Sequence, residues 1–146
     1  MADLDADFPN LNGGAWQVTS PPDIRYNCIA FAAGRTDVFW WPDEYPDPDF
    51  DHWPPGVLRE ESVAAFVQLY ESLGFEVCRN GALELGYEKI AIYLRNQVPT
   101  HASRQLRSGA WTSKLGVEED IEHERPESLA GPCYGSVVQF MRRPVP

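Results

Sequence analysis

The stretch Trp41–Pro55 constrains this chain most, because five of its fifteen residues are proline. Proline fixes φ and removes a backbone donor, so neither a regular helix nor an inner strand can form there. Aromatic side chains alternate with the prolines, which predicts a loop packed on the body of the protein. We expect this ordered Pro/Trp/Asp-rich loop to span about residues 36–57. Three of its side chains are predicted to line a substrate site: Trp40, Trp41 and Trp53.

Helical patterns precede strand patterns along the chain. Apolar side chains in Glu60–Leu73 recur at steps of three and four residues, and Asn27–Ala33 predicts a short helix of small residues that ends at Gly34. Strands are predicted at 75–79, 89–95, 100–106, 110–115 and 135–142. This order favours one α+β domain over residues 1–146, with N-terminal helices packed on a C-terminal antiparallel sheet.

The composition excludes several classes of function. Twelve basic and 22 acidic residues give a net charge of −10, which repels phosphate backbones and excludes nucleic acid as an expected partner. No apolar run approaches the roughly 18 residues of a membrane span, and the N-terminus lacks the basic and apolar regions of a secretory signal. We therefore expect no membrane association and a cytoplasmic protein, with export that needs no cleavable signal as the alternative.

Neither a metal nor a cofactor is expected. The three cysteines form no C-x-x-C pair, so their spacing fits neither a disulfide framework nor a four-ligand zinc site. The acidic run Asp47–Asp51 begins like a calcium loop. However, His52 and Leu58 occupy the positions where such a loop requires glycine and glutamate. The sequence also lacks a glycine-rich phosphate loop.

Cys28 lies at the start of the predicted helix of small residues. The first turn of a helix has unpaired backbone amides and the positive end of the helix dipole, and both favour a thiolate. A cysteine in this position is suited to act as a nucleophile. The alternative is a buried structural cysteine, since free cysteines are among the most buried residues. The structural interpretation is stronger for Cys78 and Cys133, which lie in a predicted strand and a turn.

A nucleophilic thiol needs a base, and His101 is the best-placed histidine. If the turn between two predicted strands centres on residues 96–97, His101 pairs with Ile92 and shares its inward face, which would meet the Cys28 helix. A slip of one residue in this register turns His101 outward. The other two histidines lie among acidic residues and are expected to be solvated: His52 and His123.

The sequence around these residues resembles the papain-like cysteine hydrolases, and within them the small bacterial amidase branch. The strings that carry the likeness are Tyr26–Ala32, Thr100–Ala102 and Trp111–Gly116, and the last two are also similar to a group of small, largely uncharacterised bacterial proteins. In the amidase branch a cysteine heads a helix packed on an antiparallel sheet, and a strand carries the histidine. The branch usually places that histidine just before a Val-Ala-Ile-Tyr-like strand. Here Ile90–Tyr93 follows Glu88-Lys89, so His101 would act from the next strand.

The resemblance implies further site residues. The residue that orients the histidine comes from the following strand, where Ser113 is the nearest match and its two neighbours are alternatives. The backbone N–H of Cys28, helped by the side-chain amide of Asn27 or Gln17, would hold an oxyanion. The alternative for those two amides is a helix cap and a surface residue.

Two functions of different classes follow. The first is a cofactor-free cysteine hydrolase or acyl transferase that acts on an amide bond of a peptide, a side chain or a conjugate. The acidic chain would favour a basic or amine-bearing substrate. The second is a non-enzymatic binding or inhibitory protein that docks on a basic partner through its acidic charge and tryptophan-rich loop. Contact between Cys28 and His101 distinguishes the two.

Overall fold

Seven antiparallel strands form the central sheet in the computed structural model of the protein, which describes residues 4–145. The strands are β1 (Trp16–Ser20), β4 (Glu76–Cys78), β5 (Tyr87–Arg95), β6 (Val98–Gln105), β7 (Trp111–Lys114), β8 (Asp120–His123) and β9 (Ser136–Pro144). Their order across the sheet is β1-β8-β7-β6-β5-β9-β4. Two short strands, β2 (Phe39–Trp40) and β3 (Asp51–His52), pair in parallel inside the Pro/Trp/Asp-rich loop.

The helices are short. They are α1 (Leu4–Asp7), α2 (Cys28–Ala32) and α3 (Val63–Glu71), with 3-10 helices at Pro9–Gly13 and Pro126–Leu129. α3 begins after Ser62, whose side chain accepts a hydrogen bond from the backbone N–H of Ala65 at 3.2 Å. Among the described residues, no helix has the length and apolar character needed to cross a membrane.

Each face of the sheet packs against a different part of the chain. On one face Ile90, Ile92 and Ala102 form a core with α2, α3 and residues of the Pro/Trp/Asp-rich loop. On the other face Ala91 and Tyr93 form a second core with the N-terminal segment and the region around the second 3-10 helix. Alternate residues of one strand therefore belong to different cores.

A bulge in the β5–β6 hairpin shifts its register by one residue. The turn lies at Asn96 and Gln97, whose positive φ angles of 51° and 67° suit a tight hairpin turn. Leu94 pairs with Pro99, but the next pair is Tyr93 with His101, because Thr100 is left out of the ladder. The predicted pairing of His101 with Ile92 is therefore wrong, although the predicted turn is correct.

The α+β class and the large antiparallel sheet agree with the sequence prediction. The sequence does not predict β1 and β8, which are short, and three of the five residues of β1 are exposed. β1 brings N-terminal residues to the edge of the sheet, so the sheet is not confined to the C-terminal part as expected.

Phe66 on α3 tests the first core. Its side chain is fully buried and packs against the rings of Trp41 and Trp53 at centroid distances of 5.5 and 5.4 Å. We expect Phe66→Ala to lower the free energy of unfolding by about 3–5 kcal/mol, as is usual for a buried phenylalanine. Urea unfolding measures this change. Glu71→Ala on the exposed side of the same helix is the matched control, with an expected change within about 0.5 kcal/mol.

Candidate functional site

Asn27 fixes the start of α2 and the position of Cys28. Its side-chain oxygen accepts hydrogen bonds from the backbone N–H groups of Ala30 at 3.3 Å and Trp40 at 3.1 Å. Its side-chain nitrogen donates to the Trp40 carbonyl at 2.8 Å. The amide therefore serves as a helix cap and holds β2 against α2, and it is not a free oxyanion donor as the resemblance implied.

The second predicted oxyanion donor is also placed elsewhere. Gln17 lies on the edge strand β1, three strands away from β6, and donates to a carboxylate oxygen of Glu122 at 2.9 Å. The backbone N–H groups of Cys28 and Ile29 remain as donors at the helix start. They are the first two of α2 and therefore have no acceptor within the helix.

Burial controls the protonation of Cys28. The residue is 5% exposed, and this desolvation raises the pKa of its thiol to about 11. Hydrogen bonding by the backbone amides of Ala102, Ile29 and Cys28 lowers the pKa but does not compensate for burial. The sequence predicts a favoured thiolate, so the direction is corrected here. The thiol is protonated at neutral pH.

His101 is fully buried, and neither of its ring nitrogens has a hydrogen-bond partner among residues 4–145. The imidazole stacks on the ring of Tyr134 with a centroid distance of 4.1 Å and an interplanar angle of 6°. Tyr93 contacts it edge-on at 5.0 Å. Burial, and secondarily the charge of His123, lower the pKa of His101 well below its ordinary value, so the imidazole is neutral.

The Cys28 side chain and the His101 ring lie on opposite faces of β6. Cys28 packs in the core that contains Ala102, whereas His101 pairs with Tyr93 and faces the second core. Main-chain pairing of β6 with β7 is confined to Arg104 and Gln105, so the β6 edge near Ala102 has no β7 partner. The thiol lies at this open edge, because the Ala102 amide hydrogen-bonds it. No hydrogen bond joins the thiol to the His101 ring.

Ser113 does not orient His101. Its hydroxyl lies 2.7 Å from Nε2 of His123 and 2.8 Å from the hydroxyl of Ser103. Nδ1 of His123 lies 2.8 Å from the Arg125 carbonyl, which can only accept a hydrogen bond. The neutral ring therefore carries its proton on Nδ1, and Nε2 accepts from Ser113.

The hydrogen bonds that join His123, Ser113 and Ser103 continue to Tyr93. The Tyr93 hydroxyl donates to the Pro126 carbonyl at 2.5 Å and lies 2.9 Å from the Ser103 hydroxyl. His123, at the other end of the chain, is 1% exposed and not solvated as predicted. The sequence missed this chain because its members come from four strands or loops whose register cannot be inferred from local patterns.

Of the three tryptophans predicted to line a substrate site, two lie in the core and Trp41 is partly buried against it. Trp40 and Trp53 are each 6% exposed, and Trp41 packs edge-on against Phe66. Trp53 donates from its indole nitrogen to the Leu58 carbonyl at 3.0 Å. The rings of Trp41 and Trp53 hold the Pro/Trp/Asp-rich loop against Phe66 of α3, and Trp40 and Trp53 are too buried to offer an open face to a ligand.

The stretch of the chain that matches a known family includes the whole of this site. The family described as a domain of unknown function, DUF7689, matches residues 17–142. The chain belongs to the DUF7689 family. The DUF7689 match includes Cys28, His101 and Tyr134, and it begins after α1 and the first 3-10 helix. No curated protein and no solved structure matches the chain.

His123 should make stability fall in acid. Burial lowers its pKa to about 4, whereas an unfolded histidine has a pKa of about 6.5. Between these values the unfolded state binds a proton that the folded state does not. The free energy of unfolding therefore falls as the pH drops from 6.5 to 4, by about 3 kcal/mol from this residue.

Urea unfolding at several pH values measures this effect. We expect His123→Gln to reduce the acid-dependent loss of stability, with His101 responsible for part of the remainder. His52→Gln is the matched control, because His52 is exposed, and it should keep the wild-type pH dependence. An unchanged pH dependence in His123→Gln would contradict the prediction.

Proposed function

We propose that the protein is a cofactor-free cysteine hydrolase or acyl transferase of the papain-like type, with Cys28 as nucleophile and His101 as base. The observation that carries the proposal is the His101 ring, which is fully buried with both nitrogens unpaired. Buried polar groups are nearly always hydrogen-bonded. The backbone amide of Ala102, the residue after His101, hydrogen-bonds the Cys28 thiol, so the sulfur lies beside the strand that carries His101.

The directions of the two pKa shifts favour a neutral pair over a thiolate–imidazolium pair. Burial keeps the proton on Cys28 and keeps His101 unprotonated. As the sulfur attacks a carbonyl carbon, the thiol proton passes to the imidazole. The imidazolium then gives this proton to the departing amine, and a thioester remains on Cys28. Water or an amine, deprotonated by His101, attacks the thioester and restores the thiol.

The start of α2 supplies donors for the developing oxyanion. The backbone N–H groups of Cys28 and Ile29 have no acceptor within the helix and hydrogen-bond the sulfur. A carbonyl oxygen bound beside the sulfur would receive the same two groups. This arrangement replaces the side-chain amides of Asn27 and Gln17, both of which are already hydrogen-bonded.

The substrate class follows from chemistry and charge. A thiol with a neutral base suits the amide of a peptide, a side chain or a conjugate, and the net charge of −10 favours a basic or amine-bearing molecule. Cys28 is 5% exposed and His101 is fully buried, so an acyl donor reaches the pair through a local opening of the structure.

The pH dependence of Cys28 alkylation tests whether the pair works in this way. In the wild type, iodoacetamide should label Cys28 at a rate that is constant between about pH 7 and 9, because neutral His101 accepts the thiol proton. In His101→Gln only the free thiolate reacts. The rate should then rise about tenfold per pH unit through this range, since the thiol pKa is about 11.

Peptide mapping by mass spectrometry separates the three thiols. Cys78 is free and only partly buried, so it serves as an internal control whose labelling His101→Gln should not change. A wild-type profile that rises as steeply as that of His101→Gln would remove His101 as the base. The acidic binding protein would then be the better interpretation.

A further inference from the structure

The side chain of Tyr134 stacks on the His101 imidazole. The two rings stack almost parallel, at 6° and a centroid distance of 4.1 Å, whereas Tyr93 meets the imidazole edge-on at 67°. We propose that Tyr134 is a positioning residue that holds His101 in the orientation needed to accept the Cys28 proton. This inference rests on the proposed function. It gives Tyr134 the role of the third site residue, which would otherwise orient the histidine through a hydrogen bond.

The absence of hydrogen bonds on His101 makes this role necessary. A histidine that acts as a base usually has one ring nitrogen held by a carboxylate, amide or carbonyl, which fixes the ring plane. His101 has no such partner within residues 4–145. Its ring plane is therefore determined by contact with neighbouring rings. A flat aromatic contact leaves both ring nitrogens free to exchange protons. A hydrogen bond to one nitrogen would occupy that nitrogen.

The loop that carries Tyr134 is itself held firmly. Gly131 and Gly135 exchange two backbone hydrogen bonds of 2.9 Å, which close the loop. The Thr100 hydroxyl donates to the Tyr134 carbonyl at 2.7 Å. A Cβ atom at Gly135 would lie 2.1 Å from the Leu94 carbonyl oxygen, so only glycine permits this close approach to β5. The backbone around Tyr134 is thus held against both strands of the β5–β6 hairpin.

Phe8, in the N-terminal segment, also packs against the ring of Tyr134. Its ring lies 5.1 Å from that of Tyr134, and Phe8 is 4% exposed. Five titratable groups influence the stacked rings: Cys28 on α2, Tyr93 on β5, His123 on β8, Cys133 in the same loop and Asp7 on α1. The experiment below separates the contribution of the Tyr134 ring from these charges, because none of the substitutions changes a charge.

The two parts of the Cys28 alkylation profile provide the readout. The constant rate near pH 7–9 depends on His101, whereas the rate above about pH 10 depends on the free thiolate alone. Tyr134→Leu removes the flat ring and should lower the constant rate about tenfold or more, while the rate at high pH stays unchanged. Tyr134→Phe keeps the ring and should keep both parts. Tyr87→Leu, the same change at a distant site of β5, should also keep both.

The competing outcomes are distinct. If Tyr134 only covers the site, Tyr134→Leu will change the rate by a similar factor at every pH, and the inference fails. If Tyr134→Phe lowers the constant rate as much as Tyr134→Leu, the hydroxyl and not the ring is responsible, and the inference also fails. A wild-type profile without a constant part overturns the proposed function and this inference together. Thr100→Val, which loosens the loop without removing the ring, should lower the constant rate by a smaller factor than Tyr134→Leu.

Discussion

The bulge at Thr100 decides which face of the sheet each residue of β6 occupies. Because Thr100 is left out of the ladder, Ala102 faces α2 while His101 faces Tyr93 and Tyr134. Without this one-residue shift, His101 would point at α2 and Ala102 would point at the second core. The thiol of Cys28 and the ring of His101 therefore lie on opposite faces of β6. Both are near the part of the β6 edge that does not pair with β7.

Burial determines the electrostatics on both sides of β6. It raises the pKa of Cys28 and lowers that of His101, so both groups are neutral in the folded protein. A neutral pair does not need to keep an ion pair in the interior, where desolvation of charges is costly. In the proposed reaction, charge separates only when sulfur attacks a carbonyl, and the backbone amides at the start of α2 would then stabilise the negative oxygen.

Several features could be predicted from the sequence because they depend on local patterns. Val63, Phe66 and Tyr70 repeat with helical spacing, and the turn at Asn96 and Gln97 follows an alternating apolar strand. The face of His101 could not be predicted, because a bulge of one residue has no clear local signature. The pKa of Cys28 was expected to fall, since its helix position is visible in the sequence and the depth of its burial is not. The contact with Tyr134 joins residues from separate parts of the chain, although Gly131 and Gly135 do indicate a tight turn around it.

The most direct measurement is to identify the residue that accepts an acyl group from p-nitrophenyl acetate. The acetyl group should appear on Cys28 in the intact folded protein and should be lost with time in the wild type. In His101→Gln it should form more slowly and persist, because the base that activates water is missing. In Cys28→Ser, no acetyl group that is later lost should appear at position 28. Acetylation of Cys78, Cys133 or lysines, with Cys28 unmodified in the wild type, would contradict a nucleophilic role for Cys28.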